Sequence, residues 1–312
     1  MGSPLVSIIT PVLNRADTIR ACLRSVSAQT HPNLEHIVVD GGSTDGTVQI
    51  IESFQSNHAL TWISEPDDGM YGAINKGLRL AKGAVVAYLN SDDVYLPWSV
   101  EVAEAHLASG VDLVYGDMGI LKRGRRIFFP QFYEPFDLNY YTHFTTIGQP
   151  TVFWRSDMTS HIGYFDTSYQ LIGDCEYWLR AAVAGHSLTH VDEIMAIQVE
   201  HGGTLRNRRR QELQEEFVRL RSSYEDAAGP PARHATRFIA RGLRWRAEQI
   251  RFGVSSRIAS PSKWPRFLGF LRSHGIDVSR RSLMWFMLPG RFWPGDLSTV
   301  NVDELEASLL LE

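Results

Sequence analysis

Residues 65–93 read EPDDGMYGAINKGLRLAKGAVVAYLNSDD. The apolar spacing of Met70–Ala81 predicts a helix. The run Ala84–Leu89 is apolar and too short for a helix, so it predicts a buried strand. Three acids stand before the helix, and two follow the strand. Because another short apolar run, Thr61–Ser64, precedes the first acids, both acidic loops are predicted to follow strand ends.

The same alternation continues back to the N-terminus. Leu5–Thr10 and Glu35–Asp40 predict two further buried strands. Asn14, with Asp17 as its reciprocal acid, stands where an N-cap would begin the first helix, and Asp45 stands before the second. Strands alternating with helices at this spacing predict an α/β fold with a Rossmann-like, mostly parallel sheet flanked by helices.

The loops that follow the four strands are predicted to lie on one edge of the sheet, where such folds bind ligands. Three of the four carry acids, which would repel one another without a ligand. We therefore expect a cation and a nucleotide at this edge. The four loops are Pro11–Asn14, Asp40–Ser43, Glu65–Asp68 and Asn90–Asp93.

Asp92 and Asp93 directly follow a predicted buried strand. Two carboxylates in this position can hold a hard divalent ion, Mg²⁺ or Mn²⁺, whose remaining ligands come from phosphate and water. The alternative is that they cap the following helix. The other acidic loops on the same edge favour the metal site.

The loop GGSTDGT, residues 41–47, is a flexible turn that either contacts a ligand or only precedes a helix. It lacks the Gly-Lys-Ser/Thr ending of a Walker loop and the GxGxxG dinucleotide fingerprint. These differences argue against a kinase and a dehydrogenase.

Charge divides the chain. Residues 1–204 carry 12 basic and 23 acidic side chains, whereas residues 205–291 carry 19 and 7. This contrast predicts a catalytic domain over 1–204, with halves at about 5–93 and 94–204, and a helical C-terminal extension over 205–312. The acidic body makes nucleic acid an unsuitable partner.

The basic arm, residues 205–291, interleaves bases with aromatic residues. This composition suits docking on an anionic membrane surface. The alternative is that the aromatic residues pack on the catalytic domain or on a second subunit, as in a homodimer. Two helices are predicted in the arm, one with an apolar stripe from Leu213 to Tyr224 and one over Ala235–Phe252.

Localisation follows from what the chain lacks. It contains no run of 18 apolar residues and no signal-peptide pattern, and Cys22 and Cys175 stand in unrelated contexts. We therefore expect no disulfide, no spanning helix and a cytoplasmic location, peripheral to the inner membrane face if the arm docks there.

Three segments together are similar to the successive N-terminal motifs of family 2 glycosyltransferases of GT-A fold. They are VSIITPVLNRADTIRACLRSVSAQT, HIVVDGGSTDGT and SEPDDGMYGAINKGLRLAKGAVVAYLNSDD. Within that family, EPDDGMYGAINKG most resembles enzymes of bacterial exopolysaccharide and colanic-acid assembly. The resemblance extends over about residues 5–204.

The resemblance implies a nucleotide-binding role for a first group of residues. Thr10, Pro11 and Asn14 would line the nucleoside pocket, and Asp40 would read the base. The ribose and diphosphate would lie beside Asp67 and Gly69. Ser91, Asp92 and Asp93 would occupy the place of the DxD motif, with Asp93 as the direct metal ligand, although Ser91 stands where the motif has Asp.

A second group is implied in the other half. Asp174, in GDCEYWLR, aligns with the catalytic base, while Gly173 replaces the acid that precedes it in the family. A helix cap is the alternative for Asp174, and Glu176 is the alternative base. Gly148–Pro150 resembles the loop before the acceptor pocket. His201 resembles a late histidine that touches the diphosphate or metal, although a solvated histidine is the alternative.

The implied function is inverting transfer of a sugar from a UDP, GDP or dTDP donor to a saccharide or lipid-linked acceptor in bacterial polysaccharide or glycoconjugate assembly. Three alternatives are a sugar-phosphate nucleotidyltransferase, a glycoside hydrolase and a non-catalytic nucleotide-sugar binder. The first needs a Gly-rich, basic signature near its first strand, which this sequence lacks.

Overall fold

The computed structural model describes residues 2–54, 59–122, 127–131, 133, 135–142, 146–200 and 209–228. Its strands are β1 Val6–Val12, β2 Leu34–Asp40, β3 Leu60–Ser64, β4 Val85–Tyr88, β5 Val94–Tyr95, β6 Leu113–Lys122, β7 Ile127–Gln131, β8 Phe153–Arg155 and β9 Leu188–Glu200. Its helices are α1 Ile19–Ser27, α2 Thr47–Phe54, α3 Met70–Leu80, α4 Ser99–Leu107, α5 Leu138–Tyr141, α6 Ser156–Ile162, α7 Gly173–Val183, α8 Arg210–Ser223 and α9 Glu225–Ala228, with a 3₁₀ turn at Gln149–Thr151.

Within these residues the strands form one sheet in the order β3-β2-β1-β4-β8-β6-β9-β5, and β7 pairs with β6. Strands β1 to β4 are mutually parallel, and β6 pairs parallel with β9. Strands β5, β7 and β8 pair antiparallel with their neighbours. The expected α/β fold with a mostly parallel sheet is confirmed.

Two apolar clusters cover the two faces of the sheet. One contains the buried side of α1, including Ile19 and Leu23. The other contains α3 and α7, with Ile74 and Trp178 fully buried or nearly so. Helix α3 approaches β1 so closely that a methyl group at Gly77 would overlap the side chain of Ile9. The packing of α3 fixes the loop before it, which belongs to the acidic edge.

The predicted start of the first helix at Asn14 is wrong, because α1 begins at Ile19 with Thr18 at its N-cap. Asn14 has a left-handed backbone (φ 51°), and its Oδ1 accepts a hydrogen bond from the Thr44 N–H at 2.9 Å. The Asn14 N–H donates to Ser43 Oγ at 2.7 Å. Asn14 therefore joins the loops after β1 and β2 and caps no helix.

The described part of the C-terminal extension packs against the catalytic domain. Leu220 of α8 is buried, and Leu213, Phe217 and Tyr224 pack against the cluster that holds α3 and α7. The predicted apolar stripe of this helix is thus confirmed and faces protein. The second predicted helix, at 235–252, and all of residues 229–312 lie outside the described residues.

Neither cysteine forms a disulfide, as expected. Among the residues that the structure describes, no helix is both long and apolar enough to cross a bilayer.

Candidate active site at the carboxyl edge of the sheet

Asp40 ends β2 and is completely buried. Its Oδ2 accepts hydrogen bonds from the Gly42 N–H at 3.1 Å, the Ser43 N–H at 2.9 Å and Ser64 Oγ at 2.6 Å, and Ser43 Oγ donates to its Oδ1. The carboxylate therefore shapes its own loop and ties it to the end of β3. Base recognition by Asp40 stays a prediction.

The residues at the end of β1 lie beneath the edge. Thr10 is fully buried, and its Oγ1 lies 2.9 Å from His36 Nε2. Pro11 is buried opposite Val39 of β2. Any support that Thr10 and Pro11 give to a nucleoside pocket thus comes from the floor of the site, whereas Asn14 is exposed at its rim.

The loop after β3 presses against the loop after β2. Asp67 is half-buried, and its Oδ1 accepts a hydrogen bond from the Gly69 N–H at 2.9 Å. Its Oδ2 lies 2.8 Å from where a Cβ at Gly41 would stand, so a side chain at Gly41 would displace the carboxylate. Gly69 has φ 94°, a left-handed conformation that suits glycine. The structure therefore brings Asp67 and Gly69 next to the Asp40 loop.

The loop after β4 contains the expected metal ligands. Ser91 and Asp93 are buried and Asp92 is half-buried. Asp93 Oδ1 accepts a hydrogen bond from the Val199 N–H at 3.0 Å. The alternative that these acids cap a helix is wrong, because β5 follows them and α4 begins only at Ser99.

The donor atoms of this loop fit a divalent cation. Asn90 Nδ2 donates to Gln149 Oε1 at 3.0 Å, and Gln149 Nε2 donates to the Tyr88 carbonyl at 2.9 Å. This orientation leaves Asn90 Oδ1 buried without a hydrogen-bond partner among the described residues. This buried oxygen lies in the loop that carries the two carboxylates, and oxygen atoms of these kinds are the hard ligands that Mg²⁺ or Mn²⁺ selects. His201, the third expected ligand, lies outside the described residues.

Asp174 lies in the first turn of α7 and is only 5% exposed. Its Oδ1 accepts a hydrogen bond at 3.0 Å from the hydroxyl of Tyr71, which belongs to α3. Ile172 is the N-cap residue of α7, so the cap alternative for Asp174 is wrong. The buried carboxylate instead faces the helix that follows the Asp67 loop.

Glu176, the alternative base, is also buried, but its carboxylate is occupied. It accepts two hydrogen bonds from the guanidinium of Arg180, each at 2.9 Å, and one from the Tyr224 hydroxyl at 3.0 Å. Burial is the main cause that raises the pKa of Tyr224 well above its ordinary value, and the Glu176 charge adds to it. Glu176 thus anchors the C-terminal helices to α7.

A second anchor holds the segment just before Asp174. Glu216 of α8 accepts hydrogen bonds from three consecutive backbone N–H groups, at 2.7, 3.0 and 3.1 Å. These belong to Gln170, Leu171 and Ile172. The Gln170 side chain in turn lies 3.0 Å from where a Cβ at Gly69 would stand. Helix α8 therefore fixes the loop that leads into the candidate base.

Replacing Glu216 by alanine is expected to lower the free energy of unfolding by about 3 kcal/mol, because three N–H groups lose a charged acceptor. Urea unfolding measures this loss. Glu215→Ala is the matched control, since its side chain is exposed and bonded to Gln211 on the same helix. It should change stability by less than about 0.5 kcal/mol. Equal losses in the two variants would contradict the anchoring role.

One cluster of titratable side chains was not predicted from the sequence. His190 Nε2 lies 2.9 Å from Asp117 Oδ1, and its Nδ1 lies 3.9 Å from Asp192 Oδ1. Asp117 also accepts the Tyr133 N–H at 2.8 Å, and burial raises its pKa. One atom from each of the three side chains lies within 4.8 Å of the others, close enough to share a metal ion.

The sequence around these three residues gave little indication that they would form a cluster. The cluster forms where β6 pairs with β9 through a register shift at Asp117. Each ring nitrogen of His190 faces a different carboxylate, with Nε2 at hydrogen-bond distance from Asp117 and Nδ1 farther from Asp192, at 3.9 Å. Only the pairing of strands distant in sequence brings these groups together.

Comparison with known proteins bears on the family and the fold of this chain. A family model described as glycosyl transferase family 2 matches residues 7–157. A PGL/p-HBAD biosynthesis glycosyltransferase of Mycobacterium tuberculosis is 30% identical over 212 residues, covering 66% of this chain and 81% of that protein. Glycosyltransferase AglE of Haloferax volcanii is 30% identical over 203 residues, covering 62% of this chain and 66% of AglE.

Two solved structures share the fold. S. aureus TarS 1–349 in complex with UDP-GlcNAc aligns with a TM-score of 0.55 at 24% identity, covering 65% of this chain and 60% of that one. The mannosyltransferase PcManGT of Pyrobaculum calidifontis, in complex with GDP-Man and Mn²⁺, aligns with a TM-score of 0.57 at 19% identity. That alignment covers 91% of this chain and 84% of the mannosyltransferase.

Proposed function

This chain belongs to glycosyl transferase family 2 and is a glycosyltransferase, and we propose that it is an inverting, metal-dependent enzyme. Its donor would be a sugar linked to UDP, GDP or dTDP, and its acceptor a saccharide or lipid-linked saccharide in bacterial polysaccharide or glycoconjugate assembly. The observation that best supports this proposal is the hydrogen bond that the Tyr71 hydroxyl donates to Asp174. It joins a buried carboxylate to the helix that begins at the Asp67–Gly69 loop.

The proposed reaction is one displacement at the anomeric carbon. Asp174 accepts the proton of the acceptor hydroxyl while that oxygen forms its bond to the anomeric carbon. The bond from this carbon to the diphosphate breaks, and its electron pair leaves with the diphosphate. Because the attack is in line with the leaving group, the configuration inverts.

The donor would lie along the loops after β1 to β4. Asn14 at the rim and the Asp40 loop would contact the nucleoside, and Asp67 and Gly69 would contact the ribose and diphosphate. Asp93 and Asp92, with His201 from outside the described residues, would hold a divalent ion beside Ser91. When bound, Mg²⁺ or Mn²⁺ would neutralise the charge that develops on the departing diphosphate.

The donor class is supported by analogy with the structural neighbours, one bound to UDP-GlcNAc and one to GDP-Man with Mn²⁺. A thermal-shift screen of UDP, GDP and dTDP, each with and without Mn²⁺, tests it directly. We expect one diphosphate to raise the unfolding temperature only when Mn²⁺ is present, because ligands that bind the folded state stabilise it by mass action. ADP is the control. The proposal would be refuted if no diphosphate changed the unfolding temperature, or if sugar were released without any nucleotide requirement.

The same screen, followed by product analysis, separates the alternatives. A nucleotidyltransferase would release pyrophosphate from a nucleoside triphosphate, and a hydrolase would act without nucleotide. A non-catalytic binder would show the thermal shift but would form no product.

We also propose that the basic arm docks on an anionic membrane and presents the site to a lipid-linked acceptor. The apolar stripe of α8 is turned toward the catalytic domain, so docking rests on the basic and aromatic residues of 229–291. Flotation with anionic and neutral vesicles over a salt series tests this. Absence of binding to anionic vesicles at low salt would exclude it, and a homodimer that dissociates when residues 230–312 are deleted would support packing instead.

A further inference from the structure

We propose that Tyr71 is a positioning residue that orients the catalytic base Asp174, and that Gly173 is glycine because the ring of Tyr71 occupies the space of its side chain. This inference rests on the proposed function, since it takes Asp174 to be the base. It assigns a role to Tyr71, a residue of the segment EPDDGMYGAINKG for which the proposed donor contacts give no role.

The first support is the rigidity of the ring. Tyr71 is 2% exposed, and its ring stacks on Phe165 with centroids 5.6 Å apart and an interplanar angle of 13°. Phe165 stacks in turn on Tyr177 at 4.1 Å and 9°. The backbone of Phe165 is held by the side chain of Asn75, which donates to its carbonyl at 2.8 Å and accepts its N–H at 2.9 Å. The hydroxyl of Tyr71 is therefore held toward Asp174 by packing on α3 and α7.

The second support is steric. A Cβ on Gly173 would lie 2.8 to 2.9 Å from three ring carbons of Tyr71. Gly173 is not among the glycines with a left-handed backbone, so space and not backbone conformation demands glycine there. Any side chain at this position would push the ring away from Asp174. In the family an acid precedes the base, at the position of Gly173; in this chain the ring of Tyr71 occupies the space that the side chain of such an acid would need.

The chemical consequence concerns the charged form of the base. A hydroxyl that donates to a carboxylate favours its ionised form, and only the ionised form can accept the proton of an acceptor. The hydrogen bond also fixes the plane of the carboxylate. Among the described residues, the ionisable groups near Asp174 include Cys175 and Glu176 on α7 and Tyr141 on α5, and Glu176 is paired with Arg180. Burial raises the pKa of Tyr141 well above its ordinary value, so it stays neutral at physiological pH.

The test compares Tyr71→Phe with Tyr177→Phe in the 312-residue chain, using a nucleotide sugar that carries the diphosphate selected in the thermal-shift screen. Tyr177 lies in the same aromatic stack, but its hydroxyl contacts Thr159 at 2.8 Å instead of Asp174. In Tyr71→Phe we expect kcat to fall about tenfold, donor KM to stay unchanged, and the acidic limb of the pH profile of kcat to move up by about one pH unit. In Tyr177→Phe the limb should stay in place.

A second variant guards against a folding defect. Gly173→Ala should move the acidic limb of the pH profile in the same direction as Tyr71→Phe. In the double variant the limb should move little further than in Tyr71→Phe, because both substitutions remove the same hydrogen bond, from Tyr71 to Asp174. An unmoved limb in Tyr71→Phe, with or without a lower kcat, would overturn the positioning role, as would additive shifts in the double variant. If Asp174→Asn keeps full turnover, the proposed base itself fails; if it is inactive while Tyr71→Phe behaves like Tyr177→Phe, only the positioning role fails.

Discussion

Replacing Asp174 by asparagine is expected to lower kcat by about 10²–10⁴-fold while donor affinity stays nearly unchanged. The amide cannot accept the proton of the acceptor hydroxyl, but it keeps the size of the side chain and an oxygen for the Tyr71 hydroxyl. Steady-state kinetics, with donor binding measured separately, give the two quantities. The fold should persist, since the variant retains the packing of α7.

Glu176→Gln is the matched comparison for this variant, because Glu176 is the nearest acid on the same helix and is equally buried. Its carboxylate holds Arg180 and Tyr224, so we expect it to lose stability more than turnover. If Asp174→Asn loses donor binding while kcat survives, Asp174 is a binding residue and Glu176 becomes the next candidate base.

Replacing Asp93 by asparagine is expected to lower metal-dependent turnover by at least about 10²-fold, since the stabilisation of the departing diphosphate by a metal ion amounts to several kcal/mol. Asp93 is 2% exposed and accepts the Val199 N–H, so it also contributes to the packing of β9. Asparagine keeps an oxygen that can accept this N–H, so the variant tests the loss of the negative charge alone. Turnover of the wild type in EDTA checks the metal requirement, and undiminished turnover there would exclude it.

The comparison variant for Asp93→Asn is Asp192→Asn, which changes the second group able to share an ion, Asp117, His190 and Asp192. We expect it to leave the EDTA-sensitive turnover intact. If Asp192→Asn abolishes this turnover and Asp93→Asn does not, the functional ion binds between β6 and β9 instead of at the end of β4.

The sequence alone was sufficient for the architecture of the first half. Short apolar runs and helical periodicity are local properties, so β1 to β4 and α3 follow from the residues themselves. Parallel strands necessarily end on one edge, and this placed the loops of Asp40, Asp67 and Asp93 together before any coordinates. The similarity of these loops to family 2 glycosyltransferases then indicated the chemistry.

Helix starts could not be predicted equally well. Asn14 looks like an N-cap in the sequence, yet its side chain accepts a hydrogen bond from Thr44, 30 residues away. Asp92, Asp93 and Asp174 are also typical capping residues, and none of them caps a helix in the structure. A short polar side chain can form a hydrogen bond either with its own backbone or with a distant partner. Which of the two it forms depends on the packing of the whole chain, which brings the distant partner within reach.

Tertiary structure decided the contacts that tune the site. Tyr71 meets Asp174 across 103 residues, Asp93 meets Val199 across 106, and Glu216 binds the backbone before α7 from more than 40 residues away. No periodicity records such pairs, because each depends on how two elements pack after they form. The sequence by itself therefore determined the sheet, its acidic edge and the family, whereas the packing of α3, α7 and α8 determined how the candidate base is held.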